Sequence, residues 1–226
     1  MRRSFLEKEA FNIKGSRLDI AHPVRDDTFL GSIMAILENQ FKFGNVAFKP
    51  GDVFLDLGCN IGIISCYVAK IYPFIRVVGF DASTISINCA KINSLKNNLI
   101  NTEFYNLGIG IKNQKNVEFL SNSKEITGLI RADLDSENRT DSYTCDVVTL
   151  SDIVDSKILC IENIKYLKVD IEGDEFDLFN YLFNERSDIL DKIEYLHLEI
   201  HKMKDDLIIK TLKEKVINRF GQKLLS

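Results

Sequence analysis

A glycine turn between two apolar segments is the strongest chemical signal in the sequence. The turn reads DLGCNIG at residues 56–62, and Asp81 closes the next apolar segment 19 residues after Gly62. Glycines allow a tight turn and a close backbone approach to a ligand, and a carboxylate that ends the second strand can accept both hydrogens of a ribose diol. We therefore predict a nucleotide site lined by Asp56, Gly58, Cys59, Asn60, Gly62, Asp81 and Ala82.

The form of the turn favours a cofactor that carries positive charge. A dinucleotide fold uses G-x-G-x-x-G to hold a pyrophosphate at a helix N-terminus, whereas this turn reads G-x-x-x-G and begins with Asp56. A carboxylate there would repel a pyrophosphate and would suit an amino or sulfonium group. S-adenosylmethionine has both groups and an unphosphorylated adenosine ribose. The structural alternative is a turn that needs glycine for its geometry alone.

A second group of ionisable residues lies at KVDIEGDE, residues 168–175. Period-two alternation places Lys168 and Asp170 on one side of a strand, and Glu172 falls in the turn beyond it. A lysine inside a central strand needs a partner, so a buried ion pair is the alternative to a functional role. Ligands bind at the carboxyl ends of parallel strands, and we therefore favour a functional role for Asp170.

The third group is YLHLEIH at residues 195–201, in which alternate residues share one face of a strand. Histidine titrates near neutrality, so we predict that His201 is a general base oriented by Glu199, with Asp170 hydrogen-bonding the substrate or sharing the base role. For His197 a buried, hydrogen-bonded histidine is the favoured interpretation. The two histidines and Glu199, with Asp170, could also hold a divalent metal. We nevertheless predict a site without metal.

A parallel sheet would bring these groups together. Apolar runs that alternate with helical segments predict an α/β fold with right-handed crossovers. The expected strands cover residues 53–57, 75–80, 102–106, 143–150, 166–170 and 193–200, and the expected helices cover 63–72, 84–96, 173–184 and 204–220.

Two segments depart from this alternation. Residues 1–48 are expected to form a helical N-terminal extension, because apolar residues recur at helical spacing over 29–41. Residues 107–142 are expected to form a polar insertion over one end of the sheet, with a short hairpin strand at 117–120. We predict a single domain overall, whose cofactor-binding part spans residues 49–226.

Composition restricts the function further. The chain has 226 residues and a net charge of −4, which disfavours a nucleic-acid substrate. Its longest apolar run, residues 61–69, is too short to cross a bilayer, and its N-terminus lacks the apolar core of a secretory signal. Five cysteines without a CxxC pair are typical of reduced thiols. We predict a cytoplasmic protein.

The segments VFLDLGCNIG, VVGFDAS, DVVTLSDI, YLKVDIEGDEFDLF and LHLEIH, in this order, resemble the FkbM family of S-adenosylmethionine-dependent methyltransferases. The resemblance covers roughly residues 25–205. It implies a Rossmann-like class I methyltransferase fold with a mostly parallel sheet flanked by helices. It also implies methyl transfer to a hydroxyl of a sugar, glycan or secondary metabolite. By match to the family's motifs, Asp56, Gly58, Asn60, Gly62 and Asp81 would bind the cofactor, and Asp170, Glu172 and His201 would lie in the cleft.

The sequence departs from the family pattern at two places. Cys59 stands where the family more often has alanine, and only residues 221–226 follow the last predicted helix. We therefore expect a shortened C-terminal end with at most one short strand, whose sheet edge a second copy of the chain could cover.

Two other functions stay open on the sequence alone. One is a non-catalytic domain that keeps the fold and binds a nucleotide or a partner protein. The other is a nucleic-acid-directed methyltransferase, which the acidic charge and the lack of an NPPY-like tetrapeptide disfavour.

Overall fold

The computed structural model describes residues 6–24, 29–121, 130–131, 141–156, 159, 161–201 and 206–225. The strands in these residues are β1 (Leu6–Ile13), β2 (Ser16–Pro23), β3 (Val53–Leu57), β4 (Arg76–Asp81), β5 (Thr102–Asn106), β6 (Gly108–Gly110), β7 (Gln114–Ser121), β8 (Ile130–Arg131), β9 (Asp141–Thr149), β10 (Ile164–Val169) and β11 (Ile193–Leu198). The α-helices are α1 (Phe29–Leu37), α2 (Ile63–Ile71), α3 (Thr84–Lys96), α4 (Leu150–Asp155), α5 (Glu175–Glu185), α6 (Ser187–Asp191) and α7 (Asp206–Phe220).

The central sheet is parallel and has the strand order β11-β10-β3-β4-β5. The chain runs outward from β3 through β4 to β5 and then resumes on the other side of β3, so the topological switch point lies between β3 and β10. Ligands of open α/β sheets bind at the carboxyl ends of the strands beside such a point. The predicted α/β fold with a parallel sheet flanked by helices is confirmed.

Alternate residues of the central strands face two separate apolar layers. Phe54 and Tyr166 pack with α1, α2 and α3 on one face, while Leu55 and Leu167 pack with α4, α5 and α7 on the other. A strand that is buried on both faces shows a nearly continuous apolar run, which explains why β3 is completely buried. Asp56 and Lys168, which lie opposite each other in this apolar sheet, are therefore exceptions that need an explanation.

The insertion predicted at residues 107–142 contributes strands to a second sheet. This sheet has the order β6-β9-β7-β8 and pairs β6 with β9 in parallel and β7 with β8 and β9 antiparallel. The hairpin strand predicted at 117–120 lies within β7. The strand predicted at 143–150 also exists, as β9, but it belongs to this second sheet. Residues 122–129 and 132–140 lie outside the described part of the chain.

The expectation of a helical extension over residues 1–48 holds for the segment around α1 and is wrong for the hairpin that precedes it. β1 and β2 form an antiparallel hairpin, and only α1 is an α-helix among the described residues of this segment. Lys14 and Gly15 connect the two strands, and both have positive φ angles, 48° and 84°. A two-residue turn with two positive φ angles matches the twist of a hairpin, so glycine at its second position was the signal of a hairpin.

Asn93 of α3 fixes the hairpin to the central fold. Its buried side chain accepts a hydrogen bond from the Ala21 amide at 2.6 Å. It donates to the Ala21 carbonyl at 3.1 Å and to the Ile61 carbonyl at 2.9 Å. Because Ile61 belongs to the glycine turn, a single amide side chain connects the N-terminal hairpin, α3 and the predicted cofactor loop.

The C-terminal end adds one short contact to the central sheet. After α7 and a single 3-10 turn, Leu224 makes an isolated parallel bridge with Leu196 of β11. The Leu225 amide donates to the Leu196 carbonyl at 2.8 Å. This pairing agrees with the expectation of at most one short strand after the last helix. A second copy of the chain along this edge stays a prediction.

Replacing Asn93 should destabilise the protein more than an equivalent change on the exposed face of the same helix. Asn93→Ala leaves buried backbone groups of residues 21 and 61 without partners, and we expect the free energy of unfolding to fall by about 2–3 kcal/mol. Asn88→Ala, on the exposed face of α3, is the matched control. Urea denaturation of both variants checks this, and equal losses would show that the Asn93 hydrogen bonds contribute nothing specific.

Candidate active site

The glycine turn is tightly packed against the protein's own backbone. Gly58 has a φ of +76°, and a Cβ atom on it would lie 1.7 Å from the Asp170 carbonyl oxygen. The amides of Gly58 and Cys59 both donate to the Phe80 carbonyl at 2.9 Å. Glycine is therefore required at position 58 because the end of β10 leaves no space for a side chain. The turn joins the carboxyl ends of β3, β4 and β10.

Gly62 serves packing between helices. Its φ is +75°, and a Cβ atom there would lie 2.8 Å from the Ala90 Cβ atom of α3. Cys59 is also buried, and burial raises the pKa of its thiol well above the ordinary value. Neither Gly62 nor Cys59 lines the cavity described below, and both contribute to the packing of the turn.

Two backbone amides hold the carboxylate of Asp81 at the end of β4. Its Oδ2 atom accepts the Asn60 amide at 2.8 Å, and its Oδ1 atom accepts the Ser83 amide at 2.8 Å. Burial raises the pKa of Asp81 to about 7, although these two hydrogen bonds and Lys168 oppose the shift. The carboxylate thus lies at the end of β4, fixed in orientation and close to its titration range at neutral pH.

Lys168 is the centre of a buried ionic cluster at the switch point. Its side chain is 2% exposed, and its Nζ atom lies 3.2 Å from Asp56 Oδ1 and 3.3 Å from Asp170 Oδ2. The same ammonium donates to the Gly58 carbonyl at 3.0 Å. The ammonium group therefore contacts the end of β3, the glycine turn and the end of β10.

The charge of this lysine is maintained by its surroundings. Burial by itself lowers the pKa of Lys168, but the nearby carboxylates of Asp56 and Asp170 together outweigh it and raise the pKa. A buried ammonium between two carboxylates remains protonated, and the cluster is best understood as a structural clamp. The ion pair that the sequence left as an alternative for Lys168 is present.

Asp56 does not reach the cavity in this structure. Its side chain is 0% exposed, with Lys168 on one oxygen and the Ser65 hydroxyl donating to the other at 2.6 Å. The expectation that this carboxylate directly faces a positively charged cofactor group is therefore corrected. Its contribution to the site is indirect, because it holds the lysine that fixes the glycine turn.

His201 lies beside Asp170 and Glu172, as predicted. Its Nε2 atom is 3.4 Å from Glu172 Oε2 and 3.8 Å from Asp170 Oδ1. Its Nδ1 atom is 2.8 Å from Glu175 Oε1. The hydrogen bond with Glu175, with smaller contributions from Glu172 and Asp170, raises the pKa of His201 to about 9.

A residue other than the predicted Glu199 bonds His201 Nδ1. The Glu199 amide donates to the Val169 carbonyl at 3.0 Å, and the nearby imidazole opposes the rise in the pKa of Glu199 that burial and Asp170 cause. Glu175, at the start of α5, bonds the imidazole instead. The sequence did not distinguish Glu175 as a site residue, because the helix dipole alone favours an acidic residue in the first turn of a helix.

His197 is a core residue. Its ring packs 4.6 Å from the ring of Phe41, measured between centroids, and burial lowers its pKa to about 4. The favoured interpretation of His197 as a buried histidine agrees with the structure, but its Nδ1 atom has no hydrogen-bond partner among the described residues.

One cavity at the carboxyl end of the sheet connects the two halves of the site. Gly58, Asn60, Asp81 and Ala82 line it on the side of β3 and β4. Asp170 and Glu172 line it on the side of β10, and the second sheet contributes an apolar wall that includes Ile109 and Phe119. Five of the predicted site residues do not line this cavity: Asp56, Cys59, Gly62, Glu199 and His201. His201 lies next to two residues that do line it, Glu172 and Asp170.

The acidic side of the site could bring together ligands for a cation. One ligand atom each from Asp170, Glu172 and His201 lies within 4.8 Å of the others. The same distances describe ion pairs between an imidazolium and two carboxylates. The prediction of a site without metal stays a prediction.

The fold and the site together define a Rossmann-like protein of the methyltransferase type, with an acidic residue that closes the strand after the glycine turn. Residues 56–216, well over half of the chain, match the Methyltransferase FkbM domain. The chain therefore belongs to the FkbM family of methyltransferase domains, as its motifs indicated.

Two individual proteins illustrate the relationship. Methyltransferase 1 of Beauveria bassiana (strain ARSEF 2860) is 24% identical over 168 residues, which cover 67% of each chain. The crystal structure of Methyltransferase FkbM from Methylobacillus flagellatus KT superposes with a TM-score of 0.50 at 14% identity. That likeness covers 86% of this chain but only 49% of the other, so this chain spans about half the length of that protein.

Removing the buried ammonium should cost more stability than removing a neighbouring one. Lys168→Met leaves Asp56 buried without a counter-charge, and we expect the free energy of unfolding to fall by about 3–5 kcal/mol. Lys165→Met is the matched control, because Lys165 lies on the same strand, pairs with the half-exposed Glu194 at 2.9 Å and lies over the ring of Tyr195. Chemical denaturation of both variants measures the difference; a loss no larger than the control's would contradict the clamp.

Proposed function

We propose that this chain is an S-adenosylmethionine-dependent O-methyltransferase that acts on a hydroxyl of a sugar, a glycan or a secondary metabolite. The observation that carries the proposal is the single cavity at the switch point, which Asp81 lines on one side and Asp170 and Glu172 on the other. Membership of the FkbM family supports methyl transfer as the reaction. The acceptor class and the transfer to oxygen follow from the family resemblance together with the acid–base groups at the cavity.

The residues on one side of the cavity fit an adenosine. Each oxygen of Asp81 accepts one backbone hydrogen bond and keeps a lone pair for a ribose hydroxyl. Leu107, Ile109 and Phe119 offer an apolar wall for a base. When bound, S-adenosylmethionine supplies an electrophilic methyl group, so the chain mainly has to position the two reactants. Gly58, Asn60 and Ala82 would contact the cofactor, while residues 56, 59 and 62 support the turn.

The residues on the other side would receive the acceptor hydroxyl. A hydroxyl becomes a better nucleophile when a nearby base takes its proton as the bond forms. We assign this role to the neutral form of His201, with Asp170 and Glu172 as hydrogen-bond acceptors for the substrate. Because the pKa of His201 is raised to about 9, the neutral form becomes the major one only above that pH.

Several further properties remain proposals. In the part of the chain that the structure describes, no helix has the length and apolar character needed to span a bilayer. We propose a small-molecule or glycan acceptor and no nucleic-acid substrate, since the chain carries a net charge of −4. A cytoplasmic location and a homodimer along the β11 edge are further expectations.

Cofactor binding should depend on the ionised form of Asp81. Asp81→Ala removes an acceptor of two charge-assisted hydrogen bonds, each worth about 1.5–3 kcal/mol, so S-adenosylhomocysteine should bind at least about tenfold more weakly. Protonated Asp81 cannot accept through both oxygens, so wild-type affinity should rise as the pH increases through about 7. Titration calorimetry at several pH values measures both effects.

The matched control for this experiment is Asp52→Ala. Asp52 lies immediately before β3, at the opposite end of the same sheet, so its substitution should leave the affinity for S-adenosylhomocysteine unchanged. If Asp81→Ala binds as tightly as Asp52→Ala, Asp81 is not the ribose ligand. A chain that only binds the cofactor would pass this test and still fail to methylate any acceptor.

Methyl transfer should depend on His201 and on high pH. His201→Ala should lower kcat by roughly 10²–10⁴-fold, with little change in S-adenosylhomocysteine affinity. The wild-type rate should rise with pH through about 9, because only the deprotonated imidazole accepts a proton. Steady-state assays with a panel of sugars measure both, and chelator should have no effect. Full activity of His201→Ala would show that His201 is not the base and would favour Asp170 in that role. If a chelator abolishes activity and Mg²⁺ restores it, the site requires a metal.

A further inference from the structure

Glu175 occupies an unusual position for a helix N-terminal acid. Its side chain is 1% exposed, whereas Asp177 in the same helical turn is exposed. The Glu175 carboxylate accepts the Ile171 amide at 3.0 Å through Oε1 and the Gly173 amide at 3.0 Å through Oε2. Its Oε1 atom also bonds His201 Nδ1 at 2.8 Å. All three contacts involve the segments that carry the acidic side of the site.

These contacts determine the shape of the turn between β10 and α5. The two amides that Glu175 accepts lie on either side of Glu172, whose φ is +55°, and Gly173 follows with a φ of +111°. A left-handed conformation at a glutamate has a cost that the surrounding structure must offset. The carboxylate of Glu175 offsets it by bonding both amides, and so directs the Glu172 side chain towards His201.

His201 comes from a different part of the fold. It lies beyond the end of β11, three residues after Leu198, while Asp170 and Glu172 follow β10. Glu175 is hydrogen-bonded to both segments at once. The relative position of the imidazole and the two carboxylates thus depends on one buried side chain.

We propose that Glu175 is a positioning residue for the transfer reaction, which fastens His201 to the turn that carries Asp170 and Glu172. The proposal rests on the function proposed above, since it assigns that turn and His201 to the acceptor side. Glu175 itself does not line the cavity and acts through His201 and Glu172.

Both the charge and the length of the Glu175 side chain are needed for this role. A glutamine would turn an N–H group towards one of the N–H donors that the carboxylate now accepts, and it would remove the negative charge next to the imidazole. An aspartate would keep the charge but would be one methylene too short to reach all three donors. The two substitutions therefore separate electrostatics from geometry.

Removal of this charge should be visible in the titration of His201. Among the described residues, the charged groups that face the imidazole are Asp170 and Glu172 from the turn, Glu175 from α5 and Glu199 from its own segment. Glu175→Gln removes the partner that raises the pKa of His201 most. The titration midpoint should fall by about one pH unit or more.

The experiment compares Glu175→Gln and Glu175→Asp with Asp177→Asn in the full chain. Asp177→Asn removes the same charge from the same helical turn but on its exposed side. We compare kcat at a pH well above the His201 midpoint, where the imidazole is neutral in every variant. There we expect Glu175→Gln and Glu175→Asp to lower kcat by about 10²-fold, since small misplacements of reacting groups have effects of this size. S-adenosylhomocysteine affinity should stay within about twofold of the wild type, because the cofactor side is untouched. The Asp177→Asn variant should match the wild type in both.

The proton NMR titration of the imidazoles provides a readout independent of activity. The chain has three histidines, and the spectrum of His201→Ala identifies the signal of interest. A midpoint that is the same in Glu175→Gln and in Asp177→Asn would overturn the proposal, as would equal kcat values for these two variants. Should Glu175→Gln fail to fold, the Glu175→Asp variant and the wild-type midpoint decide, because a wild-type midpoint near 6.5 would show that the contact with Glu175 is absent.

The two proposals fail in different ways. If no acceptor is methylated by the wild type but the His201 midpoint depends on Glu175, the positioning contact exists and the proposed reaction is wrong. If methylation proceeds and depends on His201 but not on Glu175, the reaction stands and the positioning role is wrong.

Discussion

The arrangement of the site depends on one buried ammonium group. Lys168 contacts Asp56, the Gly58 carbonyl and Asp170, and so ties the end of β3, the glycine turn and the end of β10 together at the switch point of the sheet. A lysine in an apolar sheet is tolerated because its charge is matched on both neighbouring sides. Gly58 complements this clamp, since its missing side chain lets the turn approach the Asp170 carbonyl. The crevice between the two half-sheets is therefore fixed before any ligand binds.

The two sides of the cavity are built by different means. On the side of β3 and β4, backbone amides of Asn60 and Ser83 orient Asp81, so that its orientation depends mainly on the turn conformation. On the side of β10 and β11, the buried carboxylate of Glu175 bonds both the turn and His201. Ionisable side chains respond to pH and to each other, whereas backbone donors do not.

The second sheet gives the cavity its outer wall. Ile109 and Phe119 come from β6 and β7, within the segment that interrupts the alternation of strands and helices. Its core is small and separate from the two apolar layers of the central sheet. Functional specificity is often carried by such additions to a rigid scaffold, because they can vary without disturbing the core.

The sequence by itself determined the central strands, the long helices and the residues at their carboxyl ends, because apolar period and glycine position are local properties of the chain. It predicted Asp81, Asp170, Glu172 and His201 in one region. It missed the Lys14–Gly15 hairpin and the contacts of Glu175, and it did not predict that Lys168 and Ser65 enclose the Asp56 carboxylate. Those features depend on which segments pack together. Asp56 forms an ion pair with a lysine that is more than a hundred residues away in the chain, and His201 is hydrogen-bonded to Glu175 of α5. Only the tertiary structure decides such pairings, because burial and the nearest charge are set by packing between distant segments.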